Sequence, residues 1–188
     1  MPRVFASSSS SLLAAVALLL VATVSAAASA PATLPANCTT ALPRDSCAFY
    51  LDCLEATFPC GADGYAVGYG DKYCRAFAAN EAWFSPKGKR WISDVMFCLQ
   101  TDLVPLLTAT AAKKTCPEIR QQAFSSHPPC YLQAGVCTLP VSDWIALARV
   151  IGIKQLVADL QAVRQEVLVA LGCPGKWLEA LLNKLLAL

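Results

Sequence analysis

Ten cysteines carry most of the chemistry legible in this 188-residue chain: Cys38, Cys47, Cys53, Cys60, Cys74, Cys98, Cys116, Cys130, Cys137 and Cys173. Their number is even and none lies in the first 37 residues. No two have the Cys-x-x-Cys spacing of a zinc knuckle or a thioredoxin-like site. In an oxidising compartment such a set becomes cross-links. Ten cysteines allow on the order of a thousand pairings, and spacing alone does not choose among them.

Other chemistry has thinner support. His127 is the single histidine and sits in Ser125-Ser126-His127-Pro128-Pro129, which reads as a loop or a helix end. A Cys–His nucleophile needs a spare thiol, and a fully oxidised even set leaves none. No catalytic residue and no cofactor is assigned, so the chain reads as a non-enzyme. Glu55, Asp63 and Asp71 gather around a stretch with four glycines between Cys60 and Gly70. A calcium site needs about six oxygens held by a defined loop, and no Asp-x-Asp-x-Asp-Gly run is present. The carboxylates therefore read as a solvated rim, and no metal site is assigned. The glycine stretch lacks the preceding strand and the Lys-Ser/Thr of a phosphate cradle, and reads as a turn-rich loop. Lys87-Gly88-Lys89-Arg90 and Lys113-Lys114 read as exposed helix ends rather than heparin contacts or protease sites.

The first 30 residues have the build of a secretion signal. Arg3 gives a positive start, Leu12 to Val24 is an apolar run of 13 residues, and small residues offer cleavage after Ala26 or Ala30. The run is shorter than the roughly 20 residues that span a bilayer. Mean hydropathy of +0.48 is inflated by this segment. The remainder suits one extracellular domain with no transmembrane span. The net charge is +2, or about +1 without Arg3, which gives no broad field for nucleic acid or anionic lipid. The sequon Asn37-Cys38-Thr39 marks Asn37 as a glycosylation site, with cysteine a poor middle residue.

The elements that must place these residues read as helices. Cys47, Tyr50, Leu51, Leu54 and Phe58 follow the helical rule from a cap at Asp45 or Ser46 to Pro59. Asp71 to Phe84 reads as a second helix. Ser85-Pro86 starts a third, with Trp91, Val95, Cys98, Leu99 and Leu103 as its stripe and Pro105 expected to kink or end it. Thr115-Cys116-Pro117-Glu118 is a capping box, and His127-Pro128-Pro129 interrupts the helix that follows. Cys130 and Cys137 share a face if their segment coils. Ser142 caps a helix that softens at Gly152, and Leu156 to Leu171 continue to Gly172. Residues 175–188 read as an amphipathic C-terminal helix that packs on the domain or joins two copies as a non-covalent homodimer through Trp177, Leu181 and Leu185. The expected fold is all-α and disulfide-rich, with about five to seven helices over residues 31–174, cross-linked rather than built on a large core.

Several cysteine neighbourhoods agree with one known pattern. They are Cys53-Leu54-Glu55 followed by Cys60 and Asp63-Gly64; Cys74-Arg75-Ala76-Phe77; Gly88-Lys89 with an aromatic before Cys98; Cys116-x13-Cys130-Tyr131; Cys130-x6-Cys137; and Leu171-Gly172-Cys173. From Cys38 to Cys173 the chain resembles the stanniocalcins, secreted helical glycoprotein hormones. The resemblance implies bridges Cys38–Cys53, Cys47–Cys74, Cys60–Cys116, Cys98–Cys130 and Cys137–Cys173. It also implies a part in calcium and phosphate homeostasis, exerted by binding an extracellular or cell-surface protein. Two departures stand out. No cysteine follows Cys173 to link two subunits, and Ala56-Thr57-Phe58 stands where the family carries its sequon. A different class, a secreted lipid or sterol carrier, has the 56% hydrophobic content in its favour. The adjacent Cys-Cys and the Cys-x-Cys of plant lipid-transfer proteins are lacking.

Overall fold

The computed structural model describes residues 34–108, 114–152, 160–173 and 175. The expected signal segment 1–30, Lys113, and the tail residues Trp177, Leu181 and Leu185 lie outside them. Among the described residues there are six α-helices and no strands: α1 (Lys72–Ala79), α2 (Pro86–Leu107), α3 (Cys116–Ser125), α4 (His127–Gln133), α5 (Val141–Ile151) and α6 (Leu160–Gly172). The all-α, disulfide-rich expectation holds. No helix among the described residues is long and apolar enough to cross a membrane.

Helix α2 is the axis on which the rest is hung. Ser85 caps it, its Oγ accepting from Gly88 N at 3.1 Å, and Pro86 opens it where a missing N–H costs nothing. Trp91, Val95, Leu99 and Leu103 repeat at four-residue spacing and are buried, with Ile92, Met96 and Leu106 widening the stripe. Pro105 does not end the helix at once. The chain stays helical to Leu107, and Thr108 then turns extended, its Oγ1 donating to Pro105 O at 2.9 Å. The α3 start carries the expected capping contacts: Glu118 accepts from both the Thr115 N–H and the Thr115 hydroxyl. Against α2 pack α3, α4 and the segment Phe49–Glu55, while α6 packs on α3 and α4, and α1 on α5.

Five local expectations need correction. The first apolar repeat is wound as a π-helix over Phe49–Glu55. The glycine stretch is a loop only in part, because Ala66–Asp71 is a second π-helical segment running directly into α1. Gly70 serves close approach there rather than a turn: a Cβ on it would overlap the Tyr50 ring. Helix α1 ends at Ala79, and a 3-10 turn over Glu81–Trp83 fills the rest of the expected helix. Cys130 and Cys137 do not share a helix face, because the chain leaves α4 at Gln133, turns at Gly135 and places Cys137 in a 3-10 turn, Val136–Thr138. In α5 the helix begins at Val141 with Pro140 as N-cap, so Ser142 lies inside the first turn.

One contiguous core runs from Phe49 and Leu54 through Leu103 and Ile119 to Phe124 and Val169, with Cys38, Cys53, Cys74, Cys130 and Cys173 buried inside it. It is more continuous than a frame held mainly by cross-links requires. Burying each large apolar side chain stabilises the fold by about 1.5–3 kcal/mol, so apolar packing and bridges act on the same residues.

Candidate functional site

All ten cysteines are bonded, as Cys38–Cys53, Cys47–Cys74, Cys60–Cys116, Cys98–Cys130 and Cys137–Cys173. The structure thus brings together the five pairs that the resemblance implies. Their Cα atoms stand 5.5–5.8 Å apart, inside the range a disulfide spans without moving the backbone. The bridges fasten the N-terminal turn to the first π segment, that segment's start to α1, the glycine stretch to α3, α2 to α4, and the 3-10 turn to the end of α6. Asn37 lies exposed beside buried Cys38.

Helix α5 contains no cysteine and is held by a carboxylate instead. Asp143 is fully buried, accepting from Ser85 N at 2.8 Å through Oδ1 and from the Ser85 hydroxyl at 2.7 Å through Oδ2. The same hydroxyl accepts from Gly88 N. One negative charge therefore faces two helix N-termini, those of α2 and α5, where the backbone dipoles favour it. Gly88 keeps the space open, since a Cβ there would stand 2.5 Å from Asp143 Oδ2. Lys87 Nζ adds a bond to Thr138 O at 2.8 Å, and Lys89 lies 3.9 Å from Glu81. The basic run at α2 is thus an exposed helix start whose lysines have partners.

His127 takes the helix-end alternative of its sequence reading. It opens α4, only 5% exposed, with Pro128 and Pro129 in the first turn where proline is tolerated. Its ring stacks on Phe124 with centroids 5.3 Å apart and meets Tyr65, Tyr69 and Tyr131 edge-on. Nδ1 lies 2.8 Å from Ala123 O, a spacing that suits an N–H donor on this nitrogen. Burial pulls the imidazole down to about 4, although hydrogen bonds to the Ala123 and Phe124 backbone favour the proton. Burial likewise raises the phenols of Tyr50, Tyr65 and Tyr131 well above their ordinary range. The ring set is an uncharged, packed cluster rather than acid–base machinery.

The carboxylates near the glycine stretch act separately. Glu55 Oε1 accepts from Gly61 N at 2.6 Å, and Asp71 pairs with Arg75 at 2.8 Å on one side of α1. Among the described residues no group of His, Cys, Asp and Glu is arranged to hold a metal ion. On the far side of the core, Arg44 pairs with Asp94 and lies over the Phe97 ring.

Helix α6 carries apolar residues toward the core and also on its outer side, beside exposed Arg164 and Glu166. Ala162 and Val169 enter the core, whereas Val167, Leu168 and Leu171 face outward at 52%, 41% and 76% exposure. Sequence reasoning missed Asp143, the Tyr65/Tyr69/Tyr131 ring set and Glu166. Only Asp143 left a local signal, an acid in the first turn after Pro140. The apolar cavity beside α6 measures about 210 Å³, below the roughly 300–1,000 Å³ of ordinary ligand pockets, which gives the sterol-carrier expectation no support.

These features define a cross-linked helical scaffold whose buried polar groups hold helices together and which leaves Val167, Leu168 and Leu171 exposed. Residues 21–186 match the model of the Stanniocalcin family, and the chain belongs to that family. No curated protein and no solved structure matches it.

Proposed function

We propose that this protein is a secreted, hormone-like signalling protein of the stanniocalcin type. It takes part in calcium and phosphate homeostasis by binding an extracellular or cell-surface protein rather than by catalysis. The observation that carries this reading is family membership over residues 21–186 together with five bridges that consume every cysteine. Such a set is stable outside the cell and unsuited to a reducing cytosol. The exposed Val167, Leu168 and Leu171 supply an apolar surface of the kind that protein partners cover. Exposed Asn37 accepts the glycan of the glycoprotein.

The test uses the purified, oxidised, glycosylated chain on cultured transporting epithelium. The expected result is altered uptake of radiolabelled calcium or phosphate, with saturable surface binding that unlabelled protein displaces and that Leu171→Glu weakens. Unchanged fluxes with no saturable binding contradict the proposal.

A further inference from the structure

The 210 Å³ cavity is bounded by α1, α2, α4, α5 and α6. Four of its walls are aromatic: Phe77, Trp91, Tyr131 and Trp144. Trp91 and Tyr131 meet edge to face with centroids 5.3 Å apart. Trp91 Nε1 also lies 3.4 Å from Tyr131 O as a long hydrogen bond, so the two walls are held at a fixed angle. The other described lining residues are aliphatic apart from Glu166, on α6. Among the described residues no lysine, arginine or histidine lines the space. Glu166 is exposed on its outer side, and partial burial raises its carboxyl above the ordinary range. Its charge also reaches the ring set, being one of the influences that raise the Tyr131 phenol, after burial and the neighbouring tyrosines.

Aromatic faces attract cations through the ring quadrupole, most strongly for tryptophan, and a carboxylate at the rim adds to that attraction. Among the described residues an anion meets no cation in this lining and is repelled by Glu166. A purely apolar molecule gains nothing from the Glu166 carboxylate. Size narrows the ligand further. A cavity of about 150 Å³ admits benzene, so this one takes a single ring with a short arm and excludes sterols and long acyl chains. The geometry points to a binding site for a small organic ammonium ion, in which the aromatic walls surround the apolar body and Glu166 pairs with the charged nitrogen. This site goes beyond the signalling role and does not rest on it.

Calorimetric titration of the full-length oxidised protein near pH 7 tests the inference with three probes: phenethylammonium, its neutral isostere 2-phenylethanol, and 3-phenylpropionate. The expected order is phenethylammonium tightest, the alcohol about tenfold weaker, and the anion without measurable binding, the tenfold being the size of one charge-assisted contact. Glu166→Gln is expected to bring the ammonium down to the level of the alcohol while leaving the alcohol within about twofold. Ala170→Leu, which fills the cavity, is expected to abolish both while the helical circular dichroism is retained. The inference is overturned if no probe binds up to about millimolar concentration. It is equally overturned if the alcohol or the anion binds as tightly as the ammonium, or if Glu166→Gln leaves the order unchanged.

Discussion

At the scale of single residues, His127 shows how environment replaces function. Its imidazole titrates near 6.5 in the unfolded chain but only at about 4 inside the ring cluster. The unfolded state therefore holds more protons between those values. Stability from this group is complete above about pH 6.5 and falls as the pH drops toward 4, by up to roughly 3 kcal/mol. Denaturant midpoints between pH 7 and pH 4.5 should show that decline, and His127→Gln should flatten it over the same window. A wild-type profile with no slope there contradicts the burial argument. The cysteines were legible from sequence because their chemistry needs no neighbours to be recognised. His127 was not, because the rings that desolvate it come from residues as distant as Tyr65. A Ser-Ser-His-Pro-Pro run reads as a loop or a helix end until its prolines are seen at the first turn of a helix.

At the scale of elements, α5 is the test case, since every other long helix contains or closely flanks a bridge and α5 relies on Asp143. Asp143→Ala strands the Ser85 N–H and hydroxyl in a buried site and is expected to cost about 2–4 kcal/mol. Ser85→Ala, which removes a cap, is expected to cost about 1 kcal/mol. The pair should be less than additive by at least about 0.5 kcal/mol, because both substitutions break one connected set of bonds. Strict additivity in urea unfolding would show that the clamp is not a unit. Helix α2 was legible through Ser85-Pro86 and its four-residue stripe. The clamp was not, because it joins positions 58 residues apart. The π-helical windings over Phe49–Glu55 and Ala66–Asp71 were equally hidden, since an apolar repeat of that length looks the same whether it is wound as α or π.

At the scale of the whole molecule, the bridges close intervals of 15 to 56 residues. In the chain-entropy view each such loop stabilises the fold by about 3–4.5 kcal/mol, less where loops interlock. The core they cross is continuous, so reduction should loosen the domain without dispersing every helix. The exposed apolar side of α6, formed by Val167, Leu168 and Leu171, was legible only as an apolar repeat in the C-terminal third. Which side of α6 is covered depends on α3 and α4, and that is settled by packing rather than by local pattern. The central claim is that every cysteine of this helical chain is consumed in one defined set of internal bridges. Non-reducing peptide mapping of the mature protein, with alkylation before reduction, tests it most directly. The account predicts no alkylated cysteine and linked peptides joining Cys38 to Cys53, Cys47 to Cys74, Cys60 to Cys116, Cys98 to Cys130 and Cys137 to Cys173. Several alkylated cysteines, or a peptide linking Cys130 to Cys137, would contradict it.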